Sequence, residues 1–427
     1  MENRTDLIVI GGGASGLMAA GQAAAAGAQV AVLEKNAEFG KKILITGKGR
    51  CNVTNDCDMN EFQRNMPGNG RFLFSAFSRF DSRVVQDFFT GQGVPLKVER
   101  GRRVFPVSDR AEDIRTALER YTRAGGVRLV GEAEVEKLQP CADGTWAVHT
   151  AKSSWAGSAV VVATGGASYP ATGSTGDGFT FARNLGHTVK PLMPSLVPLE
   201  TVEPWVKELQ GLTLKNVGVV ARGPTGEVLG EDFGELLFTH FGISGPTVLT
   251  LSRNVVQALH KSKGPVTVDI NLKPALSEAE LDGRLQREFS AQTRRQFKNI
   301  WKPLLPRLLI PIVVQLSGVD PDRPVHQVSR TERQTLVQLL QALPVTVQRS
   351  RPLAEAVVTM GGVSVREVLP ATMASRLHEG LFFCGEVLDI DGYTGGYNLQ
   401  AAFSTGAAAG EAAASYACGC QRERDGI

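Results

Sequence analysis

The chain is short of several things that would announce a function. Its six cysteines are few and irregularly spaced for 427 residues, so no disulfide framework of the secreted kind is expected. The net charge is only +3, too little to imply a nucleic-acid or membrane partner by itself. A long uninterrupted apolar run is also missing. Leu7 to Leu33 carries no charge, but Gly11, Gly12, Gly13, Gly16, Gly21 and Gly27 break it, and Glu2 and Asp6 stand with a single Arg4 ahead of it. A secretory segment needs a continuous apolar core behind a basic start. The expectation is therefore a cytoplasmic protein with no membrane span. Asn52-Val53-Thr54 matches the N-glycosylation pattern, yet in that compartment it meets no glycosyltransferase. There is no zinc-ligand spacing, no nucleophile elbow and no P-loop, because "GKGR" lacks the Lys-Ser/Thr ending. No metal site and no hydrolase are expected.

Hydrophobic content of 42% and charged content of 21% describe an ordinary globular chain, long enough for two or three domains. Its 47 glycines cluster in short loops, which marks places where backbone approaches something closely. The first such place is "DLIVIGGGASGLMAAGQAAAAGAQVAVLE", residues 6–34. Leu7-Ile8-Val9-Ile10 reads as a buried parallel strand. Gly11-x-Gly13-x-x-Gly16 follows at once, then an alanine-rich helix, then a strand from Val30 to Leu33. In a dinucleotide-binding βαβ unit Gly11 makes the tight turn, Gly13 lets a pyrophosphate reach the helix N-terminus, and Gly16 lets helix and strand pack. Glu34 comes 23 residues after Gly11, where a carboxylate can accept hydrogen bonds from the adenosine ribose and would repel a 2′-phosphate.

That fingerprint serves NAD and FAD alike. Two later segments favour FAD. "SAVVVATGGASYP" (158–170) is a third apolar strand ending in Thr164-Gly165-Gly166. "GLFFCGEVLDIDGYTGGYNLQAAFSTGAAAG" (380–410) is a strand, a glycine-acid pair, a glycine-rich loop and a helix beginning near Gly395-Gly396-Tyr397-Asn398. Strands that all end in glycine-rich turns can line a long ligand along the carboxyl edge of a sheet. The positive end of the last helix, placed at the pyrimidine edge of a flavin, would stabilise negative charge on the reduced ring.

These stretches, with "KKILITGKGRCNVTN", "LLFTHFGISGP" and "TMGGVSV", run along nearly the whole chain. In this order they resemble the FAD-dependent oxidoreductases that include aminoacetone oxidase-like and 3-dehydro-bile-acid reductase-like flavoproteins. The resemblance implies bound FAD in a Rossmann-like α/β domain of the two-dinucleotide-binding type, interrupted by an insert. On matching positions it implies FAD contacts from Ala14, Ser15, Lys35, Lys42, Gly49, Val135, Ala163 and Leu399, beside the residues read directly. It also brings His240, in "LLFTHFGISGP", near the flavin as a weak candidate for the active cavity; a structural histidine is the alternative.

The loop "GRCNVTN" (49–55) admits a redox reading and a binding one. Disulfide reductases carry a cysteine pair in this part of the chain with four residues between, whereas five separate Cys51 from Cys57. A His-Glu dyad near the C-terminus is missing as well. The loop is therefore assigned to grip: Arg50 as a cation near phosphate or flavin, Asn52 as an amide donor, Gly47–Gly49 for close approach, and Cys51 as a packed contact. Glu386 is expected to accept from the ribityl chain, with Asp389 or Asp391 next in line, and Gly385 gives its turn.

From Pro191 the composition changes, with three prolines in "PLMPSLVPL". The expected organisation is an FAD-binding domain over 1–192 and 348–427, with an insert at 193–347 that is β-barrel-like over 193–274 and helical over 275–347. Ser277 and Glu280 have capping-box spacing. "QTRRQFKNIWKPLLPRLL" is read as an amphipathic helix with a solvated basic face. Phe74, Phe77 and Phe80 are read as a core stripe. Arg100, Arg102 and Arg103 could meet an anion or form an exposed turn before a helix capped by Ser108 or Asp109. Cys418-Gly419-Cys420 is placed in an inert polar tail.

No second Gly-x-Gly-x-x-Gly with its strand, helix and acid occurs, so a dedicated NAD(P)H domain is not expected. NAD(P)H as a transient donor, or oxygen as oxidant, stays open. The expected activity is a flavin-dependent oxidation or reduction of a small organic substrate, of C=C reductase or amine oxidase type, with no nucleic-acid partner. A flavoprotein acting on RNA and a thiol–disulfide reductase using Cys51 and Cys57 are the alternatives.

Overall fold

The computed structural model describes residues 3–261 and 264–425; Glu2, counted above among the N-terminal acids, lies outside them. The chain divides into two compact units, Met1–Met193 with Leu353–Ile427, and Pro194–Pro352.

In the first unit the β1 strand (Asn3–Ile10) lies between the β2 strand (Val30–Leu33) and the strand Ser154–Val162, parallel to both. Arg128–Val130 adds in parallel beyond β2, and Leu381–Phe383 pairs in parallel with the carboxyl half of Ser154–Val162. Trp146–Thr150 and Val135–Pro140 extend the other side as antiparallel strands, giving seven among the described residues. Leu7, Ile8, Val9, Val160 and Val161 are fully buried, each contributing about 1.5–3 kcal/mol of burial. The α1 helix (Ala14–Ala25) is alanine-rich for a packing reason. It lies against the last helix, Tyr397–Asp425, where a Cβ on Gly406 would stand 2.5 Å from Ser15 O. Only small side chains permit that approach.

The second unit is a closed six-stranded barrel. Around it run Leu199–Thr201, Gly242–Ser244, Val228–Phe238, Thr213–Arg222, Val266–Asn271 and Leu343–Ser350, which pairs back with Leu199–Thr201. The closing strand follows the helices Glu278–Ala291, Leu309–Ser317 and Arg330–Gln341. The β and helical parts are thus not consecutive as expected, and the second junction falls at 352/353 rather than 347/348. A helix, Pro246–Lys261, also stands where only strands were expected.

Several local readings can be compared directly. Ser277 caps Glu278–Ala291 in a capping box with Glu280, as its spacing predicts. "QTRRQFKNIWKPLLPRLL" is not a helix: it makes a single 3₁₀ turn at Phe297–Asn299, and helix begins only at Leu309, after Pro303 and Pro306. Phe297, Ile300, Trp301, Leu304 and Leu305 are nevertheless buried, with Arg294, Lys298, Lys302 and Arg307 exposed. Phe77 and Phe80 are core, but Phe74 is 54% exposed. Arg100–Arg102 is an exposed turn, and the helix Ala111–Ala124 starts from Arg110 with no side-chain cap, Ser108 Oγ bonding instead to Asp113. Cys418 and Cys420 belong to the last helix, not to a tail. Among the described residues no helix is long and apolar enough to cross a membrane.

Candidate functional site

The carboxyl ends of β1, Ser154–Val162 and Leu381–Phe383 converge on the glycine turns. Gly11 sits at φ +103°, where a Cβ would be 2.6 Å from Ala163 O, and a Cβ on Gly16 would overlap Gly11 O. These two glycines are needed for packing. Gly13 differs: its backbone is extended, and an added Cβ would meet nothing within 4 Å. The α1 helix starts there with no side-chain cap and no acid in its first turn. The first-turn N–H groups of Ala14 and Ser15 have no partner within the helix and carry a partial positive charge. Open space before an uncapped helix start is the cradle an anionic pyrophosphate needs.

Glu34 is buried, and three donors hold its carboxylate: Gly12 N at 2.7 Å, Asn36 N at 2.9 Å and Asn36 Nδ2 at 2.7 Å. The carbonyl of Glu34 accepts from Ala133 N, which brings the start of Val135–Pro140, with Val135, to the same end. Lys35 pairs with Asp177 and Thr175. Ala163 N continues the sheet by donating to Ile10 O, and Gly165 turns at φ +73°. Thr164 Oγ1 between them is buried without a partner.

"GRCNVTN" forms a tight loop on the short helix Lys41–Ile45, with Gly47, Lys48, Gly49 and Cys51 all at positive φ. Asn52 Oδ1 is a second buried polar atom with no partner. Arg50 requires a correction. Its guanidinium stacks 4.2 Å above the Phe105 ring and bonds to Glu99 and, from Nε at 2.8 Å, to Asp109. It braces the loop from outside and is not a free cation for phosphate. Cys51 and Cys57 are buried free thiols, each pushed up to about 12 by burial, helped at Cys57 by nearby Glu61 and Asp58. A thiol held protonated is a poor electron relay.

The loop meets the carboxyl-terminal glycine segment directly. Asn55 Nδ2 donates to Gly395 O at 3.0 Å, Thr54 Oγ1 bonds Gln400, and a Cβ on Gly396 would overlap the Thr54 backbone. Asn398 does not face outward. It pins the loop by accepting from Gly392 N at 2.8 Å and donating to Gly392 O at 2.9 Å. Leu399 is partly buried and packs on the core, while Asp391 is 1% exposed. Gly385 turns at φ +76° against Ser15 and donates to Thr405 Oγ1 at 2.9 Å.

Glu386 is more committed than expected. Lys42 Nζ donates to Oε2 at 2.8 Å, and Thr359 N and Ser168 Oγ donate to Oε1 at 2.8 and 3.2 Å. Lys42 also donates to Ser168 Oγ at 2.8 Å. This half-buried cluster joins four segments that are far apart in sequence. Ser168 and Thr359 escaped sequence reasoning; the only signals were a hydroxyl in each of two quoted glycine stretches. His240 is an exposed turn residue of the barrel unit whose ring lies edge-on to Phe241. Among the described residues no group of three or more His, Cys, Asp or Glu could hold a metal.

Two orphaned buried acceptors, an open helix start and a ribose-type acid fit a long dinucleotide along one sheet edge. The arrangement is that of an FAD-dependent oxidoreductase. Its comparison with known proteins agrees: residues 5–412 match the model of the HI0933-like protein Rossmann domain, and the chain belongs to that family. It is 32% identical to the 3-dehydro-bile acid delta(4,6)-reductase of Clostridium scindens over 95% of this chain and 98% of that one. It is also 32% identical to the ribosomal RNA dihydrouridine synthase of Escherichia coli, over 94% and 96%. Among solved structures, the 3-ketosteroid delta1-dehydrogenase of Sterolibacterium denitrificans shares the fold, with TM-score 0.54 and 12% identity over 97% of this chain and all of that one.

Proposed function

We propose that this enzyme reduces a C=C bond conjugated to a carbonyl. The observation that carries the reading is the pair of relatives at equal identity. One is named for reducing a delta(4,6) unsaturation in a 3-dehydro bile acid, the other for making dihydrouridine. The two substrates have little in common except an electron-poor C=C next to a carbonyl. Bound FAD would supply a two-electron carrier between a donor and that bond. The α1 N-terminus would bind the pyrophosphate and Glu34 the ribose. The Lys42–Glu386–Ser168–Thr359 cluster would hold the segments around the ring in place. The N-terminus of Tyr397–Asp425, which has no acid in its first turn, would favour negative charge at the ring's pyrimidine edge. NAD(P)H is the proposed donor, bound transiently. An anaerobic sequence tests this. NADPH or NADH should bleach the holoprotein, and a conjugated enone should restore its colour with deuterium from labelled donor in the saturated product. Reduction of the holoprotein by amines, with no reoxidation by enones, would support an amine oxidase instead.

A second reading takes the uracil of an RNA as that conjugated system, and replaces the expectation of no nucleic-acid partner. Its support is the relatives named for acting on ribosomal RNA and a local cluster of cations in the second unit. Residues 194–352 hold 19 Lys and Arg against 15 Asp and Glu, a net +4. The stretch 291–307 has five exposed cations and no acid; of these Arg294, Lys302 and Arg307 make no ion pair among the described residues. Reduction of uridine in rRNA but not of a small enone would select this reading.

A further inference from the structure

The first unit contains a groove whose lining residues are not among the dinucleotide-site residues named above. It has a volume of about 640 Å³ and is lined by the helix Met59–Arg64, the segment 66–72 and Val365. Asn60, Gln63, Arg64, Asn69, Arg71 and Phe72 line it, and no carboxylate does. Arg64 and Arg71 are exposed and form no ion pair or hydrogen bond from the side chain among the described residues. Arg50, Arg79, Arg102 and Arg115 nearby are each paired, but what sets Arg64 and Arg71 apart is that both line one acid-free groove. Arginines left free on the wall of an acid-free groove are suited to planar, bidentate recognition of an oxyanion.

The floor of the groove is tied to the carboxyl-terminal glycine segment. Asn65 O accepts from Tyr393 N at 2.9 Å, and Asn69 Nδ2 donates to Asp389 O at 2.6 Å and to its carboxylate at 3.1 Å. Asp389 and Asp391 stand behind this wall. Asn69 donates to the partly buried carboxylate of the first, and the second is buried against Gly68. The groove therefore presents cations and amides outward while its back wall belongs to the loop before the last helix.

We propose that this groove docks the phosphate backbone of a single-stranded RNA segment, Arg64 and Arg71 each meeting a phosphate and the half-buried Phe72 ring offering a face to a base. The proposal rests on the RNA reading above. The amides of Asn60 and Gln63, also without partners among the described residues, supply further donors along the same wall. Free arginines and an aromatic face together are the means by which single strands are held without sequence readout.

The test uses the FAD-loaded protein and a fluorescently labelled oligouridylate, titrated at several salt concentrations. The doubly substituted Arg64→Ala/Arg71→Ala protein should bind about tenfold or more weakly. Its slope of log affinity against log salt should fall by about 1.4, at about 0.7 per lost phosphate contact to a single strand. Arg64→Lys/Arg71→Lys should keep the slope. Unchanged flavin content and unfolding midpoint in both pairs establish that they fold. If the wild type binds RNA but the Ala pair keeps its affinity and slope, the groove assignment falls and the RNA reading stands. Loss of slope in the Lys pair would equally overturn a phosphate contact by charge. If the wild type neither binds the oligouridylate nor reduces uridine in rRNA, the RNA reading itself falls and takes this proposal with it.

Discussion

Replacing Gly13 and Gly16 separates the two uses of glycine at the amino-terminal turn. Gly13 has an extended backbone that valine adopts without strain, and a new Cβ there meets no protein atom within 4 Å. Gly13→Val should therefore lose only the difference between glycine and valine as N-cap, about 0.5–1 kcal/mol, while filling the space before the helix start. Two charge-assisted bonds to the pyrophosphate, at about 1.5–3 kcal/mol each, would be lost. FAD affinity should fall by about 10²- to 10⁴-fold. Gly16→Ala acts on the fold instead, because its Cβ overlaps Gly11 O and the helix must move. That overpacking should cost about 1–3 kcal/mol even without ligand. The assay compares A450 of flavin released by denaturation with the thermal midpoint of the apoprotein. The reasoning is refuted if Gly13→Val retains stoichiometric flavin, or if its apoprotein loses as much stability as Gly16→Ala.

Glu386→Ala should lower both flavin content and stability, since it strands Lys42 and Thr359 N; Glu386→Gln should recover stability more than flavin, as read by melting and by absorbance. Lys42→Met, which removes the cation from the same cluster, should weaken FAD binding without abolishing it, measured by fluorescence titration of apoprotein. With Cys51 and Cys57 both pushed up to about 12, the native protein should resist iodoacetamide at pH 8 at these positions. Reductive titration should consume one electron pair per flavin, and a second pair absent from Cys51→Ser would establish a thiol relay. His187 is buried between Glu367 Oε2 at 3.2 Å and Ser375 Oγ at 2.9 Å, with the His378 ring close by. Burial holds its pKa below the usual value, against the opposing pull of Glu367. The unfolded chain then takes the proton first, so this contribution is complete above about pH 6.5 and is lost as pH falls below it. The loss should not exceed about 1.4 kcal/mol per pH unit, and His187→Gln should flatten the melting profile between pH 7 and 5.

Local pattern alone determined the amino-terminal βαβ unit, because each of its signals lies within about 30 residues. The strand is apolar, the glycines sit at the turn, and the acid closes the next strand. The Ser277–Glu280 cap was legible for the same reason: both partners belong to one helical turn. The barrel was legible only in part. Its closing strand, Leu343–Ser350, lies beyond three helices, and no spacing rule connects it to Leu199–Thr201. Composition suggested a helix in "QTRRQFKNIWKPLLPRLL", but Pro303 and Pro306 exclude it, and burial of Phe297 and Trp301 anchors an irregular path instead. Arg50 and Glu386 show what residue type cannot settle. Each has a charge suited to holding a cofactor, yet Arg50 spends it on Glu99 and Asp109, and Glu386 spends it on Lys42. A side chain's charge is a property of the sequence, but its partner depends on which distant segments the fold brings within 3 Å, and only the tertiary structure decides that.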